Sequence, residues 1–258
     1  AFGDTWEWDG TSWTQRMIAS PSARRWPAMA YDTARGLIVL FGGYDGPSFS
    51  DTWEYDGSSW TFRWASAPSK RSGHAMAYDP ARGIAVLFGG LYSSSSLGDT
   101  WEWNGTSWTP RYSAGPQPRD GHTMVFDPSR SRVVLFGGKY YDGSYHYFND
   151  MWEWDGMSWT QIITAGPAPS PRAGHAMAYD TRRNRLIVFG GNNGSNLGDT
   201  WEWDGVSWIQ LAMAGTSPAP RTLHRMVYDA AHEQAVLFGG TTGPFPFFDD
   251  TWAWNGSS

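Results

Sequence analysis

Histidine is the side chain best suited to acid–base chemistry near neutral pH, and it occurs six times in this chain of 258 residues. His146 lies four residues after Asp142 and among several tyrosines, a grouping that could supply a general acid or base. A hydrolase also needs a nucleophile held beside that base. The surrounding segment offers no clear nucleophile, so we expect a protein that is not an enzyme.

Four other histidines occupy one position of a repeated block: His74, His122, His175 and His224. Imidazoles brought together by a repeat could bind a metal ion. Pro27 fills the fifth copy of that position, so such a set of ligands would be incomplete. We therefore expect these histidines to form hydrogen bonds within the fold, with no metal and no cofactor.

Two charged residues also occur once per repeat. The first is an arginine (Arg24, Arg71, Arg119, Arg172 and Arg221), and the second is a glutamate (Glu7, Glu54, Glu102, Glu153 and Glu202), replaced by Ala253 in a sixth copy. Because buried charges must be paired or hydrogen-bonded, we expect this arginine and this glutamate to be structural partners of one another.

Composition excludes several classes of function. The chain has no cysteine, so disulfides, thiolate metal sites and cysteine nucleophiles are absent. This composition suits an oxidising compartment and favours a secreted or periplasmic location over a cytoplasmic one. The net charge is −6 with basic residues dispersed, and apolar runs are short, so neither a nucleic acid nor a membrane is expected as a partner. The first residue is Ala, which suggests a processed or excised segment.

The dominant feature is an internal repeat. The string Asp-Thr-Trp-Glu-Trp-Asp-Gly begins at Asp4 and recurs with small changes from Asp51, Asp99, Asp150, Asp199 and Asp250. Between copies lie an arginine, an Ala-Met-Ala-Tyr-Asp-like block and Val-Leu-Phe-Gly-Gly. These blocks predict four short strands per repeat, exemplified by strand a at 75–79, b at 84–88, c at 52–55 and d at 60–62. Asp56-Gly57 predicts a tight hairpin between strands c and d.

The Gly-Gly doublet after an apolar strand, followed by the later tryptophan, resembles the Kelch repeat, including bacterial-type repeats and the central domain of galactose oxidase. The resemblance implies an all-β, five-bladed Kelch-type β-propeller with four-stranded antiparallel blades and strand a innermost. Related copper oxidases use a Cys-linked Tyr, which this chain cannot form. The expected blades, within a single domain 1–258, are about 24–64, 71–112, 119–163, 172–212, and 221–254 together with 4–16.

The two ends of the chain bear on how the propeller closes. Strand c occurs six times, whereas strands a, b and d each occur five times. We expect the N-terminal c and d strands to complete the last blade, because closure hides sheet edges. One strand c, at 4–8 or at 250–254, is then surplus. A monomer is favoured, and a strand-exchanged oligomer is the alternative.

Repetition also separates structural aromatics from candidate ligand-binding ones. Of 18 tryptophans, 16 belong to strands c and d, and only Trp26 and Trp64 lie outside the pattern. The loops between strands b and c vary most between repeats, and function commonly resides in variable loops on a rigid scaffold. The candidate binding residues are Trp26, Tyr44, Asp45, Trp64, Tyr92, Tyr140, Tyr141, Asp142, Tyr145, His146, Asn192, Asn193, Phe245 and Phe247.

Three functions remain open at this stage. The first is a non-catalytic scaffold that binds a protein partner through the b–c loops and the d–a linkers. The second is a carbohydrate-binding propeller, because flat aromatic rings stack on sugars while amides and carboxylates form hydrogen bonds to them. The third is a recently amplified or engineered repeat with no specific ligand, which could self-assemble through its surplus strand c.

Overall fold

The computed structural model describes residues 1–212, 216–243 and 246–256, and every regular element within them is a β-strand. No helix in these residues is long and apolar enough to span a membrane. The chain divides into two compact units, residues 1–120 and 121–258. Each unit is built from antiparallel sheets of the kind that the repeat predicts.

The first unit contains an N-terminal hairpin and two four-stranded blades. The hairpin consists of β1 (Thr5–Trp8) and β2 (Trp13–Arg16). Blade one consists of β3 (Ala28–Asp32), β4 (Leu37–Phe41), β5 (Thr52–Tyr55) and β6 (Trp60–Arg63). Blade two consists of β7 (Ala75–Asp79), β8 (Ile84–Tyr92), β9 (Ser95–Trp103) and β10 (Trp108–Arg111).

The second unit contains three blades. Blade three consists of β11 (Thr123–Asp127), β12 (Arg132–Phe136), β15 (Met151–Trp154) and β16 (Trp159–Ile162), with a separate hairpin of β13 (Lys139–Tyr141) and β14 (Tyr145–Tyr147) inserted between strands b and c. Blade four consists of β17 (Ala176–Asp180), β18 (Arg185–Asn192), β19 (Asn196–Trp203) and β20 (Trp208–Leu211). Blade five consists of β21 (Arg225–Asp229), β22 (Gln234–Phe238) and β23 (Thr251–Trp254).

Strands b and c extend beyond their predicted ends in blades two and four. In blade two the ladder continues past the Gly-Gly doublet to the pair Tyr92 and Ser95, after a register shift between Phe88 and Gly90. Gly90 has a φ of 102°, which an L side chain rarely adopts. The doublet thus acts as a β-bulge that lets the two strands continue into the loop.

The N-terminal strands β1 and β2 supply the c and d strands of a blade. Trp60 of blade one donates its indole N–H to the Thr5 hydroxyl at 2.9 Å, as Trp108 of blade two does to Thr52 of blade one. The hairpin β1–β2 therefore packs against blade one in the same way as strands c and d of blade one pack against blade two. Within the described residues, β1 pairs with β2.

Strand c of blade five is β23, not β1. Leu237 lies opposite Trp252, the register in which Leu40 lies opposite Trp53 in blade one. β23 follows β22 after a short loop, so this pairing has a low loop-closure cost. Blade five accordingly has three strands in the part of the chain that the structure describes.

The repeated arginine does not pair with the repeated glutamate, and this expectation was wrong. Arg71 is fully buried and forms two hydrogen bonds to Asp99, at 2.7 and 2.8 Å, and one to the Gly89 carbonyl. Burial opposes ionisation of Asp99, but the hydrogen bonds from Arg71 outweigh it and lower the pKa of that carboxyl. Asp99 lies within β9, where it faces the segment that leads into strand a. The glutamate three residues later faces the other end of the blade.

The glutamate binds two other arginines. Glu54 accepts hydrogen bonds from Arg35, in the a–b turn, at 2.7 Å and from Arg63, in strand d, at 2.6 Å. Its Oε1 also accepts the indole N–H of Trp103 in blade two at 3.1 Å. Because each carboxylate oxygen has a charged donor, this fully buried charge is neutralised inside the blade.

His74, His175 and His224 form hydrogen bonds within the fold, as expected of the repeated histidines. His74 contacts the Phe41 carbonyl at 3.1 Å, and His224 contacts the Phe189 carbonyl at the same distance. Each bond joins one blade to the preceding one in its unit. Burial lowers the pKa of His224 to about 3, so the ring is neutral at physiological pH.

Candidate functional site

The hairpin β13–β14 carries a row of tyrosines on one of its faces. Cross-strand pairing places Tyr141 opposite Tyr145 and Lys139 opposite Tyr147, so these four side chains share a face. The rings of Tyr141 and Tyr145 lie 5.0 Å apart, and those of Tyr145 and Tyr147 lie 6.3 Å apart. The Lys139 ammonium lies 4.4 Å from the Tyr145 ring centroid, a cation–π contact. We call Lys139, Tyr141, Tyr145 and Tyr147 the tyrosine face.

The tyrosine face is accessible and ordered by its own contacts. Tyr141 and Tyr145 are 53% and 58% exposed, although both are large apolar rings. Tyr147 is partly buried, and its hydroxyl donates to the Asn192 side-chain oxygen at 3.4 Å. That bond ties the hairpin of blade three to the end of β18 in blade four, within the second unit.

The opposite face of the hairpin holds the only predicted acid–base candidate. The Tyr140 and His146 rings stack at 4.6 Å with an interplanar angle of 12°. The same nitrogen of His146, Nε2, lies 2.9 Å from Asp142 and 3.1 Å from the Ser144 hydroxyl. The hydrogen bond from His146 lowers the pKa of Asp142 below its usual value.

This geometry differs from that of a catalytic triad. In a triad the carboxylate orients one ring nitrogen while the other nitrogen accepts the proton of the nucleophile. Here Asp142 and Ser144 share His146 Nε2, so the ring does not relay between them. The cluster therefore fixes the tip of the hairpin.

Two side-chain amides lie beside the tyrosine face. Asn192 donates to the Asn196 side chain at 3.0 Å, and its oxygen also accepts the Gly194 N–H at 2.9 Å. Asn193 points elsewhere, to the Ser170 hydroxyl at 3.5 Å. The structure thus brings Asn192, but not Asn193, to the tyrosine face.

In the first unit, Trp26 and Tyr44 form a second, smaller aromatic surface. Their rings stack with centroids 6.3 Å apart and an interplanar angle of 22°. Two backbone hydrogen bonds between Arg25 and Tyr44 hold the b–c loop against the start of strand a. Exposed Asp45 follows directly in the loop, so three predicted residues are brought together here.

Trp26 also has an unusual backbone conformation. Its φ is +54°, and the equivalent residue of blade two is Gly73, with a φ of +64°. A bulky residue in this left-handed region is strained. The Trp26 carbonyl accepts the Gly73 N–H at 3.0 Å, so the conformation is held by the join between the two blades.

The remaining predicted residues are dispersed. Trp64 is 92% exposed and packs edge-on against Phe62 at the outer strand of blade one, and Tyr92 ends β8. Phe247 is exposed and pairs with Thr241 in the b–c loop of blade five. Phe245 lies outside the described residues.

Sequence reasoning missed Lys139, Tyr147 and Asn196. The signal for Lys139 and Tyr147 was present, because Lys139, Tyr141, Tyr145 and Tyr147 alternate with a period of two across Asp142–Gly143. Asn196 had no such signal, since it reaches the site only through its pairing with Asn192. No group of three or more His, Cys, Asp or Glu side chains in the described ranges is arranged to hold a metal ion.

The blades and their variable loops define a β-propeller, a fold generally used for binding. Comparison with solved structures gives the same fold: the protein described as "Structure of YjhT" superposes with a TM-score of 0.74, covering 96% of this chain and 86% of that one at 15% identity. With the blades counted above, the fold is a five-bladed all-β propeller.

The chain belongs to the Kelch-repeat family. The model of the KLHDC2/KLHL20/DRC7 Kelch-repeats domain matches residues 106–258, and the Kelch motif model matches residues 25–69. The search of curated proteins found no match.

Proposed function

We propose that this chain is a non-catalytic binding scaffold that engages a protein partner at the b–c loops, with the tyrosine face of β13–β14 as its centre. The observation that carries the proposal is the exposure of Tyr141 and Tyr145 on a hairpin that forms a separate two-stranded sheet, which in the described residues occurs between strands b and c of blade three alone. The other blades connect strands b and c without such an insertion in the described residues.

The chemistry of this face suits a protein surface. Tyrosine is enriched in protein interfaces because a rigid ring buries much area at small entropic cost while its hydroxyl forms a hydrogen bond. Contacts among the rings and with Lys139 already restrict their rotamers. A partner with exposed apolar side chains and hydrogen-bond acceptors for the tyrosine hydroxyls would complement the face.

Selection from a displayed peptide library, with the whole chain as bait, tests this proposal. Selected peptides should bind at least ~10-fold more weakly when Tyr141 and Tyr145 are changed to Ala, the loss typical of hot-spot tyrosines. Tyr112→Ala is the matched control, because Tyr112 is 93% exposed and lies outside the tyrosine face. Peptides that bind the parent, the Tyr141/Tyr145 variant and Tyr112→Ala equally would count against a protein-binding tyrosine face. So would a library that yields no binding peptide.

A carbohydrate ligand is the second candidate, and the amides support it. Asn192 and Asn196 lie where they could form hydrogen bonds to the hydroxyls of a sugar stacked on the tyrosine rings. A glycan array distinguishes the two candidates. Hits lost on Tyr145→Ala and weakened by Asn196→Ala favour the carbohydrate, whereas an array without hits, together with peptide binding, favours the protein partner.

A further inference from the structure

The tyrosine face offers hydrogen-bond donors to a ligand. The hydroxyls of Tyr141 and Tyr145 bond to no other group in the part of the chain that the structure describes, and both rings are more than half exposed. The Lys139 ammonium adds three N–H donors and no acceptor. It lies over the Tyr145 ring, and no carboxylate of the described residues lies within ion-pairing distance of it.

The amide groups beside the face are already used by the protein. The side-chain oxygen of Asn192 accepts from the Tyr147 hydroxyl and from the Gly194 N–H, which occupies both of its lone pairs. Asn196 accepts from Asn192 through its oxygen and donates its own amide N–H to the Thr242 carbonyl of blade five. A ligand rich in carbonyl acceptors and poor in N–H donors is therefore the best match for this face.

The arrangement of the rings defines the shape of the ligand. Tyr141 and Tyr145 are inclined to one another by 55°, and Tyr145 and Tyr147 by 39°, so part of each ring face is turned outward. Tyr145 and Tyr147 are two residues apart in β14, a separation of about 7 Å along the strand. The face therefore favours a narrow, extended ligand with an apolar group at nearly every residue.

We propose that the tyrosine face binds a proline-rich polypeptide segment in the polyproline II conformation, with an acidic residue of that segment against Lys139. This inference rests on the proposed function, because it names the chemistry of the partner at the same face. Polyproline II segments dock on aromatic-lined surfaces, where the proline rings pack against the aromatic rings. Prolines lack an N–H and this conformation has no internal hydrogen bonds, so the backbone carbonyls are available to the tyrosine hydroxyls.

Lys139 determines the charge and the position of the acidic residue. The nearest carboxylate in sequence, Asp142, lies on the opposite face of the hairpin and is bound to His146 at 2.9 Å. Lys139 lies opposite Tyr147, at the base of the hairpin, so it is at one end of the row of rings. At about 3.1 Å per residue, three prolines extend over the rings. The acidic residue is therefore expected at one end of the proline run.

Fluorescence polarisation of labelled peptides, titrated with the whole chain, tests the proposal. The first probe is hexaproline, which should bind at least ~10-fold more weakly to Tyr145→Ala, the loss typical of an aromatic hot spot. Tyr112→Ala is the matched control and should bind like the parent, because Tyr112 is 93% exposed and lies outside the face. Tyr145→Phe keeps the ring and removes the donor, so it should weaken binding about fivefold. Thermal melting verifies that each variant is folded.

A second set of probes tests the conformation and the charge of the segment. Changing the two central prolines to alanine should weaken binding about fivefold or more, because alanine adds N–H groups and makes the free peptide more flexible. Hexaproline with a glutamate at its amino end or at its carboxyl end tests Lys139. One of these two peptides should bind about threefold more tightly than hexaproline, the effect of a partly exposed ion pair. Lys139→Gln should abolish that gain, and Lys139→Arg should keep it.

Hexaproline binding that Tyr145→Ala does not weaken would overturn the proposal, and so would the absence of hexaproline binding. If peptides from the displayed library depend on Tyr141 and Tyr145 but contain no proline run, the proposed function stands and the proline-rich partner is wrong. A library without binders, together with no hexaproline binding, would overturn both. Glycan binding at the face without hexaproline binding would overturn a polypeptide as the ligand. A gain from glutamate that persists in Lys139→Gln would overturn the assignment of Lys139.

Discussion

Substitution of Glu54 by Gln measures what the buried charge network contributes to stability. Glu54 is buried, with its side chain 1% exposed, and it accepts from Arg35, Arg63 and Trp103. Glutamine has the same shape but no charge, and its amide nitrogen would face an arginine donor. Removal of one partner from a buried ion pair costs about 3–5 kcal/mol. Because Arg35 and Arg63 are 30% and 40% exposed, water can solvate them, so we expect about 3 kcal/mol.

Glu7 is the matched control. It is the same repeat position in β1, but its side chain is 39% exposed, its arginine (Arg16) lies 3.4 Å away, and Tyr55 donates to it at 2.6 Å. Glutamine can still accept from Tyr55, so Glu7→Gln should cost less than about 1 kcal/mol.

Thermal melting followed by tryptophan fluorescence measures the difference. A chain of this size loses about 2–4 °C per kcal/mol, so Glu54→Gln should melt roughly 6–12 °C lower and Glu7→Gln within about 4 °C of the parent. Equal decreases in melting temperature for the two variants would contradict this prediction, because they would mean that burial of the carboxylate does not determine how much it stabilises the protein.

Two further predictions concern buried repeat positions. The pKa of His224 in the folded protein is about 3, below its ordinary value of 6.5. The neutral ring therefore contributes fully to the free energy of unfolding above pH 6.5, and this contribution declines as the pH falls toward 3. Melting temperatures should therefore fall between pH 6.5 and 4.5, less steeply in His224→Gln, and equal slopes would contradict this. Urea unfolding should show that Gly191→Ala is at least about 2 kcal/mol more destabilising than Gly194→Ala. Both glycines have a positive φ, but a new Cβ at Gly191 would lie 2.9 Å from His175, whereas at Gly194 it would meet no atom within 4 Å.

The strand pattern was predictable because each strand is specified locally. The apolar run of strand b, the alternation of strand c and the Asp-Gly turn recur with one spacing, and the structure has strands a and c at the predicted residues of blades two and one. The extension of strands b and c was not predictable in the same way. It depends on a bulge at the Gly-Gly doublet, whose effect appears only once two strands are in register.

The pairing of charges shows the limit of a one-dimensional pattern. Both Asp99 and Glu102 recur once per repeat, so recurrence alone could not decide which of them binds Arg71. The choice depends on which end of strand c meets the start of strand a, and that is a property of the folded blade. The same limit applied to the site: Tyr140 and His146 are six residues apart in sequence and stack only because the turn at Asp142–Gly143 folds the hairpin.

Trp26 is the residue for which packing and binding most need to be separated, and one substitution does so. Glycine suits its φ of +54°, so Trp26→Gly removes a strain of about 1–2 kcal/mol but also loses the packing of a ring that is 39% exposed. These effects nearly offset, and we expect a melting temperature within about 4 °C of the parent. Leu223→Gly is the matched control, because Leu223 has a φ of +62° and is 40% exposed. If Trp26→Gly lowers the melting temperature much more than Leu223→Gly does, the main role of Trp26 is to pack the loop that contains Tyr44. Trp26 would then no longer be a candidate ligand-binding residue.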